Sequence, residues 1–300
     1  MPAPEATAIW RHTRRVGGWM PELTVGSEEH KTLFCRQFVD THHVYAVRDV
    51  RWPELDATEV QRLRAMPFWD EAVQSEATAA ARVRAMADVE PDALLREAIA
   101  MQAYEEERHA LLLESLTQRY GITVGAGRPP APRDAEWAFL RMGYGECFDS
   151  FFAFGLFRLS ADTGLFPEPL VRVFDGVMDE EARHILFFTN WVAYRRLGLP
   201  LERRAWFLVR RGLGLSLQAF GRVRTALHLR SADAGDDCTM QVPEAVGDVT
   251  LATLAKTCLD ENERRLGGYD ARLLRPTLVP HLVRLALRVL PAGRNGRPTA

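Results

Sequence analysis

Apolar residues recur at spacings of three and four along almost the whole chain, and no run alternates apolar with polar as a half-buried strand would. The pattern predicts helices only. A first, partly amphipathic helix reads over 27–48, after a Gly-Ser start. Asp56-Ala-Thr-Glu59 offers an N-cap for a second helix, which should break or kink at Pro67. An alanine-rich helix follows over 68–88, and Pro91-Asp92 opens another that runs to Tyr120 and stops at Gly121. The segment GAGRPPAPRD at 125–134 is the clearest linker. Beyond it the periodicity predicts helices over 135–160 and 169–197, separated by Gly164 and Pro167, the latter closing at Gly198 and Pro200. A helix over 201–229, a polar loop at 231–247, a helix over 248–266 and a basic helix over 279–290 complete the chain, with a frayed tail at 291–300. The expectation is one all-α domain over residues 1–300. A bundle core occupies 66–197, N-terminal helices lie in 1–65 and basic C-terminal helices in 198–300.

Composition narrows the class. With 300 residues, 47% hydrophobic and 26% charged, the chain can bury a large core, which excludes disorder, collagen-like repeats and a disulfide scaffold. The four cysteines, Cys35, Cys147, Cys238 and Cys258, include no pair at C-x-x-C spacing. Neither a zinc knuckle nor a redox dithiol is signalled, and a reducing compartment fits. The start, MPAPEATAIWRHTRR, lacks the apolar core of a secretory leader. No stretch reaches the ~18 uninterrupted apolar residues of a membrane span; the best candidate, Ala205 to Phe220, contains Arg210 and Arg211. A cytoplasmic location is expected. The net charge of −2 hides an asymmetry: residues 193–300 hold 18 basic and 10 acidic residues, residues 1–192 hold 20 and 30. The basic third reads first as arginines on solvated helix faces.

The candidate chemistry lies in a repeated string. Glu-Glu-x-Arg-His occurs at 105–109 and again at 180–184, each time in the middle of a long predicted helix. Residues three and four apart share a helix face. In one helix that face runs Leu95, Ile99, Gln102, Glu106, His109, Leu113, Leu116; in the other, Leu170, Phe174, Val177, Glu181, His184, Phe188, Trp191. Each Glu-x-x-His pair therefore points inward along a largely apolar stripe. Buried charges need partners or a metal. Four-helix bundles meet that need by converging two such pairs with one glutamate from each of two further helices. Those glutamates are present. The stripe Met66, Trp69, Val73, Glu76, Ala80, Val83 is apolar except for Glu76, whereas Glu71 shares a polar face with Gln74, Thr78 and Arg82. Glu146 stands at the centre of Phe139, Met142, Glu146, Asp149, Ala153. The order Glu76, Glu106/His109, Glu146, Glu181/His184 has steps of 30, 40 and 35 residues, each suited to a helix, a turn and a return.

Over residues 66–192 the chain resembles the ferritin-like di-iron carboxylate superfamily, whose hallmark is E…ExxH…E…ExxH. The resemblance implies a ferritin-like four-helix bundle in which Glu76, Glu106, His109, Glu146, Glu181 and His184 ligate two iron ions, or a manganese–iron pair. Oxygen-rich donor sets favour those metals. Asp149, on an apolar face, is expected to accept the second N–H of a ligand histidine. Glu105 and Glu180 stand open between that role and surface solvation. Gly143 and Gly145 imply either a loosened turn at Glu146 or close helix packing. Ala80 and Ala153 either leave room beside the metals or simply pack helices closely. The run Phe151, Phe152, Phe154, Phe157 reads as core, and His42 and His43, which point about 100° apart on a helix, read as ordinary.

Within the superfamily, a plain iron store needs only the bundle, while ~170 residues here lie outside it. No rubredoxin-type cysteine pairs accompany it. Leu113 occupies the place of a reductase radical tyrosine, and Val177 the place of the extra histidine of N-oxygenases. What the resemblance then implies is an O2-activating oxygenase that hydroxylates, desaturates, N-oxidises or cleaves C–C bonds of a small organic substrate. Electrons would come from a separate ferredoxin or reductase. The rival expectation is a ferroxidase or iron-handling protein without an organic substrate. The C-terminal helices are read as a lid or homodimer surface, or as a dock for an acidic carrier protein or membrane surface; a nucleic-acid partner is not expected.

Overall fold

Side-chain caps set most of the helix starts. The computed structural model describes residues 23–66, 68–125, 127, 129–231 and 250–289, with backbone alone at 222–231 and 289. Ser27 accepts from the His30 N–H and opens α1 (Glu28–Asp40). Asp56 and Glu59 form a reciprocal capping box at α2 (Ala57–Ala65). After α3 (Trp69–Val89), Asp92 accepts from the N–H groups of Leu94 and Leu95 to start α4 (Ala93–Tyr120). Gly121 ends α4 at φ 66°, a conformation glycine adopts without strain. Asp134 caps α5 (Ala135–Asp162), and Pro169 stands in the first turn of α6 (Glu168–Gly198). Then come α7 (Leu201–Ser231), α8 (Leu251–Gly267), capped by Thr250, and α9 (Leu278–Val289). No strand occurs among the described residues, so the molecule is all-α as expected. The loop expected at 231–247, apart from its first residue, and the tail at 291–300 lie outside the described residues.

One boundary differs. The first helix, expected to reach residue 48, ends at Asp40, and only a short 3-10 turn, Val47–Asp49, follows. Residues 41–46 leave the helix to serve tertiary contacts described below.

The bundle is built from α3 to α6. Helix α3 packs along α4 and against α5, while α6 packs along α5 and touches α4, which closes a four-membered ring. Two apolar clusters fill it, one around Ile99, Phe139, Phe188 and Trp191, the other around Leu63, Trp69, Leu112 and Leu170. Helix α1 lies on α4 and α6; α7, α8 and α9 all pack on α5. The glycines of α5 explain how closely. A Cβ on Gly143 would overlap the Phe188 ring of α6, and one on Gly155 would overlap Cys258 of α8. Helix α5 stays α-helical throughout, so Gly143 serves packing, not a bulge. Phe151 and Phe154 are buried core residues, as expected. Among the described residues, no helix is long and apolar enough to cross a membrane.

Candidate metal centre

The stripes read along single helices meet inside the ring. Oxygen or nitrogen atoms of Glu76, Glu106, His109 and Glu181 lie within 4.8 Å of one another, and so do those of Glu106, Glu146 and His184. All six expected ligands are brought together, and Glu106 belongs to both groups. Glu181 also faces both histidines, its Oε1 lying 3.2 Å from His109 Nδ1 and 3.8 Å from His184 Nδ1. The centre therefore has two halves that share two glutamates. The imidazole rings stand 5.7 Å apart.

A second layer decides which nitrogen each histidine presents. His109 Nε2 donates to Glu180 Oε2 at 2.7 Å, and His184 Nε2 donates to Glu105 Oε2 at 2.9 Å. Each carboxylate reaches the histidine of the opposite string, so the two Glu-Glu-x-Arg-His motifs brace one another crosswise. The arginines follow the same rule: Arg108 binds Glu180 at 2.5 Å and Arg183 binds Glu105 at 3.0 Å. Glu105 and Glu180 are fully buried, which settles them as histidine partners. Asp149 does not share that role. It is exposed, and both histidine Nε2 atoms are already taken. One turn beyond Glu146 the face has rotated outward, past the inward-pointing Ser150, whose hydroxyl lies 3.4 Å from Glu181.

The residues after α1 close this layer. His42 Nδ1 meets Glu105 Oε1 at 2.5 Å, and His43 Nδ1 stands 3.7 Å from Glu180. The carbonyls of Phe38 and His43 accept from Arg183 and Arg108. Tyr45 stacks on the Arg108 guanidinium at 3.8 Å. His42 and His43, expected to be ordinary, thus touch the two bracing carboxylates. So do Arg108 and Arg183, whose recurrence in both strings was the available signal.

The donor set fits a pair of metal ions. His109 Nδ1, His184 Nδ1, Glu181 Oε1 and both carboxylate oxygens of Glu146 are buried without a hydrogen-bond partner, an expensive condition unless a cation satisfies them. Protonation tells the same story. Burial, then the charges of Glu106 and Glu181, push Glu146 well above the carboxylate range. Burial likewise pushes Glu76 up to about 8. Burial alone would lower both histidines, but hydrogen bonds and neighbouring carboxylates hold them well above the imidazole range. Without metal, then, Glu76, Glu146, His109 and His184 hold protons where cations would sit. Glu105 is held far below the carboxylate range: burial opposes ionisation, and His184, Arg183 and His42 overcome it.

Access is uneven. Side-chain exposure is 24% for Glu76 and 11% for Glu181, against 2% for Glu106 and 0% for His184. Comparison with profiles of known families, with curated proteins and with solved structures finds no match. The chain is a helical protein with a buried glutamate–histidine cluster able to bind metal.

Proposed function

We propose that this chain is a ferritin-like, non-haem di-iron oxygenase acting on a small organic substrate. One observation carries the reading: four carboxylates and two unpartnered imidazole nitrogens converge in a buried ring. Four negative charges and two neutral imidazoles are balanced by two divalent cations, and the bracing layer is already neutral, each glutamate facing one arginine. Glu76 and His109 would hold one ion, Glu146 and His184 the other, with Glu106 and Glu181 reaching both. Iron, or manganese with iron, suits these donors.

When bound, the metal pair supplies activation of O2 to an oxidant able to break C–H or N–H bonds. The protein's own groups then do three things. Glu105 and Glu180 hold the Nε2 protons and keep each Nδ1 aimed inward. Helix α1 and residues 41–46 cover the braced side against water. Substrate would approach from the side where Glu76 and Glu181 keep part of their side chains exposed. Hydroxylation, desaturation, N-oxidation and oxidative C–C cleavage are all within reach of such a site. The substrate could be carrier-bound, and an external ferredoxin or reductase would supply the electrons.

Metal analysis of the purified protein beside a Glu106→Ala variant tests the site. About two metal ions per chain in the wild type, lost in the variant, are expected. No metal in either after anaerobic Fe(II) loading would leave the six residues a polar network. Oxygen uptake with Fe(II) alone tests the activity: an oxygenase stops once its sites have turned over. Continued uptake with accumulating ferric mineral would make the chain a ferroxidase.

A further inference from the structure

Two of the outer helices turn apolar residues away from the molecule. On α7, Trp206, Val209, Leu213, Leu217 and Phe220 recur every three or four residues and are exposed, Trp206 by 63% and Phe220 by 66%. On α9, Leu278, Leu282 and Leu285 repeat the pattern and are also exposed. The opposite sides are spent on packing: Leu215 and Ala219 of α7 and Val279 and Val283 of α9 surround the Phe148–Phe151 cluster of α5. Both stripes therefore stand outward from helices seated on one apolar cluster. Single exposed leucines are ordinary; eight large apolar residues at helical spacing are not.

The flanking charge says what covers them. The sequence of α7 carries seven arginines and one acidic residue, Glu202, and α9 carries two arginines and none. Arg203, Arg284 and Arg288 are exposed beside the stripes, whereas Arg210 is engaged with Asp134 and Glu136. A two-fold dimer through this face would set basic on basic. An acidic protein would answer the charges but not a stripe about 21 Å long from Trp206 to Phe220 with an aromatic residue at each end. An anionic bilayer surface answers both, since it takes apolar side chains below the headgroups and arginines among them. We propose that α7 and α9 form a docking face for anionic phospholipid, on which the protein lies without crossing.

Co-sedimentation of the metal-loaded protein with vesicles of one part phosphatidylglycerol to two parts phosphatidylcholine tests this. Binding is expected there, with little on pure phosphatidylcholine. Replacing Arg284 and Arg288 by Gln should weaken it about 30-fold. Leu213→Glu with Phe220→Glu should abolish it while leaving metal content and Tm unchanged, because both side chains already face solvent. Three results would overturn the proposal: no sedimentation with either vesicle, equal binding by the Glu variant, or dimerisation in light scattering that the Glu variant abolishes with vesicle binding absent. Capture by an immobilised acidic carrier protein with no vesicle binding would overturn it too.

Discussion

Each central histidine gives one nitrogen to a carboxylate of the opposite string and turns the other toward the central glutamates. Removing that carboxylate should be felt at the metal. Glu105→Gln leaves Arg183 without its counter-charge and weakens the hold on His184; iron affinity is expected to fall about 10- to 100-fold, read by competition with a chelator. His42→Ala should cost less, because Arg183 and His184 still hold Glu105. Protonation gives a second expectation. In the metal-free protein His109, His184, Glu146 and Glu76 all keep protons to higher pH than in an unfolded chain. Their contribution to stability is complete at low pH and is lost as pH rises through the folded values, about 8 for Glu76. The metal-free protein should therefore lose stability as pH rises from 4.5, the ordinary value for Glu76, to about 8, while Fe(II) affinity rises over the same interval as that proton is displaced. Anaerobic titrations across that range check both, and a flat affinity profile would contradict the assignment. The convergence of the six candidate ligands was legible because a charged residue on an apolar stripe stands out within one helix. The bracing by Arg108, Arg183 and His42 was not, because it arises where α4, α6 and residues 41–46 meet. Asp149 misled because a stripe read by threes and fours drifts around the helix, and one turn beyond Glu146 it had reached solvent.

At the scale of elements, α5 shows how close packing is written in single residues. Gly143→Ala should push α5 from α6 at Phe188 and cost about 1–3 kcal/mol. Gly176→Ala, in the interior of α6 with open space around it, should instead stabilise by about 1 kcal/mol. Thermal melts of the two variants should move in opposite directions. Helix starts were readable to within a few residues because Asp56, Asp92 and Asp134 are local signals that act through their own neighbours' N–H groups. The overrun of the first helix has the opposite origin. Nothing local stops it at Asp40; the chain leaves the helix because the His43 carbonyl and Tyr45 ring are needed at Arg108.

For the whole molecule, metals held as proposed would act as structural counter-ions as well as reagents. Chelation should lower Tm substantially: at 1,000 times Kd each occupied site contributes about 4 kcal/mol. Scanning calorimetry with and without chelator measures it, and Glu106→Ala should show no difference. The distribution of exposure around the ring has a consequence in time as well. Glu76 keeps a quarter of its surface open, whereas both oxygens of Glu146 are shut away from solvent. Two ions held by such unequal walls would leave at unequal speeds. A chelator added to the loaded protein should strip it in two phases, the Glu76 ion first, with a singly occupied intermediate lasting between them. In that interval the molecule could exchange one ion and keep the other, and a protein loaded with two different metals would remember which entered first.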